Sequence, residues 1–349
     1  MNRGHGATAV EVLTQIWQHV LQRSSIGPDD NFSDLGGTDL LADRLFAEIA
    51  QVCGRELPSA TICYAPTIAA LAALFEQPTL PRFSPSLQLK TGSEKPAIFI
   101  APGVGGRANF SQLARHIRTG HPIYGFQARG VDGLDEPFDR VENMAKFYLD
   151  ALKQLQPHGP YILVGYSFGG LLALEMAQRL SGDRENVALL VLIDTYPHPR
   201  YFPLGERLRL GAKRMRNRFS LMKHLPLRGS FSHFFRALER RLHLARVRHR
   251  TPSPEASRLS FAQTLSRVEA SNFVAMAHYR PRFYPGRIRF VRPERDNYLP
   301  SDPAALWKGM AAELEIEIVP GDHLGMVNTH FETLAAVLTR YVQDAVHTK

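Results

Sequence analysis

Ser167 stands in the run Gly165-Tyr166-Ser167-Phe168-Gly169. A Gly-x-Ser-x-Gly run carries chemistry where a strand ends and a helix begins, because side chains flanking the serine would clash in so tight a turn. That context is present. Tyr161-Ile162-Leu163-Val164 reads as a strand and Leu171-Leu172-Ala173-Leu174-Glu175-Met176 reads as a helix. A serine presented this way is a nucleophile for acyl transfer, and it needs a base to take its proton and an acid to orient that base. Among 14 histidines, His323 in Pro320-Gly321-Asp322-His323-Leu324-Gly325-Met326 is the one that directly follows the last strand. Its rivals are His330, read on the closing helix, and His278, read in an inserted segment. The acid is Asp194, at the end of the strand after the serine, or Asp296, after the following strand. Either gives the chain order serine, acid, histidine.

These residues need a scaffold, and the chain supplies an alternation of short apolar runs and amphipathic stretches from Ala97 onward. Strands are expected at 97–101, 122–127, 161–166, 188–194, 287–292 and 314–319. Helices are expected at 110–118, 141–156, 169–181 and 329–346. Continuous apolar strands alternating with helices predict an α/β fold, a parallel sheet covered on both faces. The alternation stops at about 197–279, which reads as a helical insertion. Residues 1–77 read instead as a small all-α domain. Val10, Leu13, Trp17, Val20 and Leu21 mark one helix, and Leu41, Leu45, Ile49 and Val52 mark a second. Pro66 opens the last, where its missing N–H costs nothing. Residues 78–95, with Pro78, Pro81 and Pro85, read as a linker, leaving 96–349 as the second domain.

The formal charge of +9 is unevenly spread. Residues 1–80 hold 4 basic and 9 acidic side chains, whereas 200–250 hold 15 basic and 2 acidic. The basic segment, with Arg214, Arg216 and Arg218, is either a solvated helix face or a docking surface for an acidic partner. Its apolar stripe, Phe231, Phe234, Phe235, Leu238 and Leu242, is expected to face an internal channel or the core, with contact of the basic and apolar faces with a membrane surface as the alternative. Nucleic acid is not expected, since no nucleic-acid module accompanies the charge. The N-terminus lacks the apolar core of a signal peptide, and no run spans a bilayer, so a cytoplasmic location is expected. Cys53 and Cys63 make neither a disulfide framework nor a zinc site. With no Gly-rich phosphate loop and no HExxH, no metal and no cofactor are expected.

The stretch from Ile26 to Gly37, with Leu57-Pro58 and Pro66-Thr67-Ile68, resembles the peptidyl carrier domains of nonribosomal peptide synthetases. That resemblance implies a four-helix domain. It also implies a phosphopantetheine-bearing serine where this chain has Asp39. A carboxylate cannot take phosphopantetheine, and neither Ser33 nor Thr38 stands in the required place. The resemblance therefore implies a pseudo-carrier, with Asp39 expected to cap the second helix. Residues 95–345 resemble the type I thioesterases that end nonribosomal peptide and polyketide assembly lines. Pro102-Gly103-Val104-Gly105-Gly106, Tyr124 to Gly130, and Trp307 carry the likeness beside the Gly-x-Ser-x-Gly run. It implies an α/β-hydrolase with a helical lid over 197–279, and it favours Asp194 as the acid. Oxyanion donors are then the N–H of Phe168 and that of Gly103, or of Val104. The implied activity is release of an acyl or peptidyl group from a phosphopantetheine thioester through acyl-Ser167, with a carrier or synthetase supplied in trans. An acyltransferase or cyclase of the same fold is the alternative. A non-catalytic scaffold that binds synthetases through the head is the alternative of another class.

Overall fold

The computed structural model describes residues 8–55, 57, 59–77, 84–108, 110–202, 204, 205, 208, 212, 261–295, 303–307 and 309–347. Arg214, Arg216, Arg218, the stripe from Phe231 to Leu242, and Asp296 lie outside them. Of the 197–279 insertion, the structure describes a 3-10 turn, Pro199–Tyr201, and a long helix, Phe261–His278.

Among its described residues the head holds three α-helices, α1 (Ala9–Leu21), α2 (Asp39–Cys53) and α3 (Ile68–Phe75). Between α2 and α3 the described residues form a 3-10 turn, Ser59–Cys63, so the fourth helical element beside the three α-helices is a 3-10 turn. The Thr8 side chain and Glu11 close a reciprocal cap at the start of α1. Leu13, Trp17, Leu45, Ile49, Ile68 and Leu71 form the core of this unit, and Phe32 meets Trp17 edge-on at 5.2 Å. Val10 and Val52 mark these helices but are exposed, because Val10 lies in the first turn of α1, before its buried stripe begins, and Val52 in the last turn of α2, after its buried stripe has ended. Two expected start signals are displaced, one by one residue and the other by two. Thr38, not Asp39, caps α2, its hydroxyl accepting from Leu41 N–H at 3.3 Å. Pro66, expected to open α3, lies before its cap: the helix begins at Ile68, and Thr67 caps it, accepting from Ala70 N–H at 3.1 Å. Each threonine has the extended backbone that a cap requires, and its hydroxyl reaches the N–H three residues on.

The second unit is built on a seven-stranded sheet of order β1-β3-β2-β4-β5-β6-β7. Its strands are β1 (Ser86–Lys90), β2 (Ile98–Ala101), β3 (Ile123–Phe126), β4 (Tyr161–Tyr166), β5 (Val187–Ile193), β6 (Tyr284–Pro293) and β7 (Ala311–Val319). Six of them are parallel, and β1 pairs antiparallel with β3. β1 corrects the linker expected at 78–95: Leu87 and Leu89 are half-buried on the sheet edge, so part of the linker is strand. The helices are α4 (Ser111–His116), α5 (Val141–Leu155), α6 (Phe168–Gly182), α7 (Phe261–His278), α8 (Pro303–Trp307), α9 (Gly325–Asn328) and α10 (Phe331–His347). α5 and α6 pack on one face of the sheet and α4 and α10 on the other, giving two separate apolar cores. β2 and β4 are buried throughout, which is why they read as unbroken apolar runs rather than alternating ones. His330 precedes the closing helix, which begins one residue later. No described helix is long and apolar enough to cross a membrane.

Candidate active site

Ser167 sits between β4 and α6 with φ 55° and ψ −120°, a backbone state L-residues rarely adopt. Holding it costs on the order of 1–3 kcal/mol. The surrounding glycines make the turn possible. A Cβ on Gly165 would strike the backbone of Gly169 and Gly170, and one on Gly169 would strike the carbonyl oxygens of Ala101 and Pro102. The turn is further held by Ser167 N–H donating to Ile193 O at 2.8 Å on the neighbouring strand. Gly170 lies against Thr195, and a methyl there would overlap the threonine side chain. Gly170→Ala is therefore expected to destabilise the fold by about 1–3 kcal/mol, read by urea unfolding. A midpoint unchanged from the parent protein would contradict this packing.

Asp194 follows the last residue of β5. It is 3% exposed, has φ 44°, and donates its N–H to Val291 O at 2.7 Å. Its carboxylate Oδ2 lies 2.6 Å from His323 Nδ1. That short contact fixes which ring nitrogen faces the acid and leaves Nε2 as the nitrogen available to a serine hydroxyl. The imidazole is 36% exposed, so one side of it is open while its carboxylate partner is buried. The loop that carries it, between β7 and α9, turns at Gly321 with φ +96° and is closed by Asp322 Oδ1 accepting from Gly325 N–H at 2.8 Å.

Two aromatic side chains hold these loops. Tyr166, one residue before the serine, stacks on His323 with ring centres 5.0 Å apart. Its hydroxyl donates to His323 O at 2.7 Å. Burial, aided by the charges of Asp194 and Asp322, pushes the Tyr166 phenol far above its ordinary value, so it remains a donor. Trp307 Nε1 donates to Thr195 O at 3.1 Å, which braces the residue after Asp194. Tyr166 occupies a variable place in the Gly-x-Ser-x-Gly pattern, and nothing in that pattern marks it as the anchor of the histidine loop.

The loop after β2 lies over the serine. A Cβ on Gly103 would be 3.7 Å from Ser167 Cβ and 3.3 Å from Tyr166 Cδ1, so only a glycine lets the backbone come this close without crowding the ring. Phe168 opens α6, where first-turn N–H groups lack partners within the helix. Val104 O accepts from Asn272 Nδ2 of α7 at 2.7 Å, a residue the sequence does not flag. Of the rival histidines, His278 ends α7, where its carbonyl accepts from Tyr201 at 3.4 Å. His330 lies against Gly321 at the back of the histidine loop. Asp194 is paired with His323.

Strand, elbow serine, buried aspartate and loop histidine, in that chain order, define an α/β fold with a hydrolase-like centre. The family model described as thioesterase domain matches residues 96–341, and the model described as phosphopantetheine attachment site matches residues 11–75. The chain belongs to the thioesterase family. It is 36% identical over 206 residues to the dimodular nonribosomal peptide synthase of Bacillus subtilis, covering 58% of this chain and 9% of that protein. It is 36% identical over 179 residues to the indigoidine synthase of Dickeya dadantii, covering 51% of this chain and 12% of that one. The chain thus spans a small part of the length of the synthetases it matches. A solved four-domain nonribosomal peptide synthetase bound to AMP and glycine aligns over 97% of this chain and 27% of its own, with a TM-score of 0.55 and 21% identity, a likeness of fold.

Proposed function

We propose that the chain releases an acyl or peptidyl group from a phosphopantetheine thioester through an ester on Ser167. The observation that carries this reading is the 2.6 Å pair of His323 and buried Asp194 in a fold whose elbow presents Ser167. His323 Nε2 takes the proton as Ser167 Oγ attacks the thioester carbon. Asp194 holds the tautomer and stabilises the imidazolium. The N–H groups of Phe168 and Gly103 receive the developing oxyanion, with Val104 the alternative to Gly103. The imidazolium returns its proton to the leaving thiol, and water, activated by the same imidazole, then frees the acid. The insertion at 197–279 serves as a lid over the acyl group. The test is intact-mass analysis after incubation with a panel of acyl-carrier and acyl-coenzyme A donors. An acyl adduct that decays to free acid supports the reading, and a chain that neither acylates nor consumes any donor overturns it.

The head matches the phosphopantetheine-attachment model, yet Asp39 stands where the resemblance calls for the serine. The reading is therefore a pseudo-carrier, with the donor supplied by a separate carrier or synthetase. After co-expression with a broad-specificity phosphopantetheinyl transferase, the chain is expected to keep its unmodified mass, whereas Asp39→Ser gains one phosphopantetheine. A modified peptide spanning residues 33–41 of the parent chain would refute it.

A further inference from the structure

Helix α7 joins the head to the loop beside Ser167, and it is fixed at three heights. Where the described helix begins, two backbone N–H groups point at a carboxylate supplied by the head. Asp43 Oδ1 accepts from Phe261 N–H at 2.9 Å, and Oδ2 accepts from Ala262 N–H at 3.4 Å. A negative group at this end accepts both donors and suits the positive end of the helix dipole. Phe261, Leu265 and Val268 sit in the same apolar cluster as Leu45 and Ile49 of α2, so the cap is backed by a continuous core. At mid-height, Asn272 is 2% exposed and donates to Val104 O at 2.7 Å. Val268 Cγ1 lies where a Cβ on Gly106, at φ +71°, would come within 2.8 Å, so the loop 103–106 rests directly on the helix. Just past its end, Tyr279 donates to buried Glu175 of α6 at 3.1 Å, and Arg282 reaches the same carboxylate at 3.4 Å.

The head touches the second unit elsewhere too. Asn31 Nδ2 donates to Ser111 Oγ at 3.0 Å, and Arg115 donates to Asp29 O at 3.2 Å. The seam between them, lined in part by Asn31, Cys63 and Arg107, encloses a cavity of about 20 Å³, room for a single water.

We infer that the docked head is a working part of the esterase centre: Asp43 holds helix α7, and Asn272 on that helix sets the position of the Gly103–Val104 backbone that receives the oxyanion. Asp43 and Asn272 are positioning residues, since neither reaches the reacting atoms. The inference rests on the proposed reading in one respect, that the loop after β2 supplies an oxyanion donor. It asks nothing of the head as a carrier, and it assigns the head a role that survives the loss of an attachment serine.

The experiment uses the full chain and two probes that need no carrier, acetyl-N-acetylcysteamine for turnover and a fluorophosphonate for the rate of labelling at Ser167. Asn272→Leu is expected to lower kcat about tenfold with KM unchanged, because a misplaced donor weakens only the transition state. Asp43→Ala, at a half-buried position, is expected to lower kcat about fivefold by loss of the cap. Asp43→Asn, whose amide oxygen also caps, is expected to restore most of it. The double variant Asp43→Ala/Asn272→Leu is expected to lose about tenfold rather than the product of the two, since both act through one loop. Independent multiplication, a loss confined to KM, or an Asp43→Ala variant with the parent kcat overturns the inference. Where Asn272→Leu does not fold, Asn272→Ser makes the same comparison. If the parent chain labels with fluorophosphonate but turns over no thioester, the proposed function fails. The labelling rates of the variants then still decide the role of the helix.

Discussion

Ser167→Ala is expected to leave a folded protein whose thioester turnover has fallen roughly 10⁴- to 10⁶-fold. The size follows from what the hydroxyl does. Without it, no ester forms, and His323 with Asp194 has no group to activate except water. What remains is binding and the oxyanion donors, which by themselves give modest acceleration. The fold does not depend on the hydroxyl, because the elbow is held by backbone. Ser167 N–H reaches Ile193 O, and Gly165, Gly169 and Gly170 leave room for the crossing chains. The same geometry gives a second outcome at this position. At φ 55° a side chain is strained, and glycine is not. Ser167→Gly should thus be as inactive as Ser167→Ala but more stable than the parent, by on the order of 1 kcal/mol. Thermal unfolding of both variants beside kcat measurements on a simple acyl thioester checks both outcomes. Substantial turnover by folded Ser167→Ala would remove the serine from the reaction.

The parts legible in the sequence are those fixed by short-range pattern. β2 and β4 are buried on both faces, so their apolar runs are unbroken and their bounds fall within a residue of those expected. The elbow is legible because its glycines answer to collisions between chain segments that any such turn brings together. β1 was not legible as strand, because it is a half-buried edge of five residues next to a proline-rich stretch. The start of α2 was misread by one residue and that of α3 by two, because aspartate and proline are also start signals, and only backbone angles distinguish the cap from the first helical residue. Asp43 and Asn272 could not be singled out at all. Their partners lie 218 and 168 residues away along the chain, and an aspartate or asparagine inside a helix has no local mark of its role. Tyr166 is an intermediate case. Its position was fixed by the motif, while its hydrogen bond to His323 O depends on how the final loop folds back over β4.

Asp194→Asn is expected to cost about 10⁴-fold in kcat with little change in KM. A neutral amide is nearly the same size, so the buried site can hold it without a cavity. Its chemistry differs in two ways. The carboxylate accepts from His323 Nδ1–H, which leaves Nε2 unprotonated and ready for the serine. An amide that presents its NH₂ to Nδ1 would instead favour the proton on Nε2, where it faces the serine and cannot receive another. The amide also carries no charge, so the imidazolium formed on proton transfer loses its counter-charge inside a site where Asp194 is 3% exposed and water screens little. Both effects fall on the transition state rather than on substrate binding, which is why kcat carries the loss. The comparison that decides the assignment is Asp296→Asn, the other acid compatible with the chain order. It should keep turnover within a few-fold of the parent. If Asp194→Asn retained turnover within tenfold while Asp296→Asn lost several orders of magnitude, the acid would belong after β6. The 2.6 Å contact between Asp194 and His323 would then be structural.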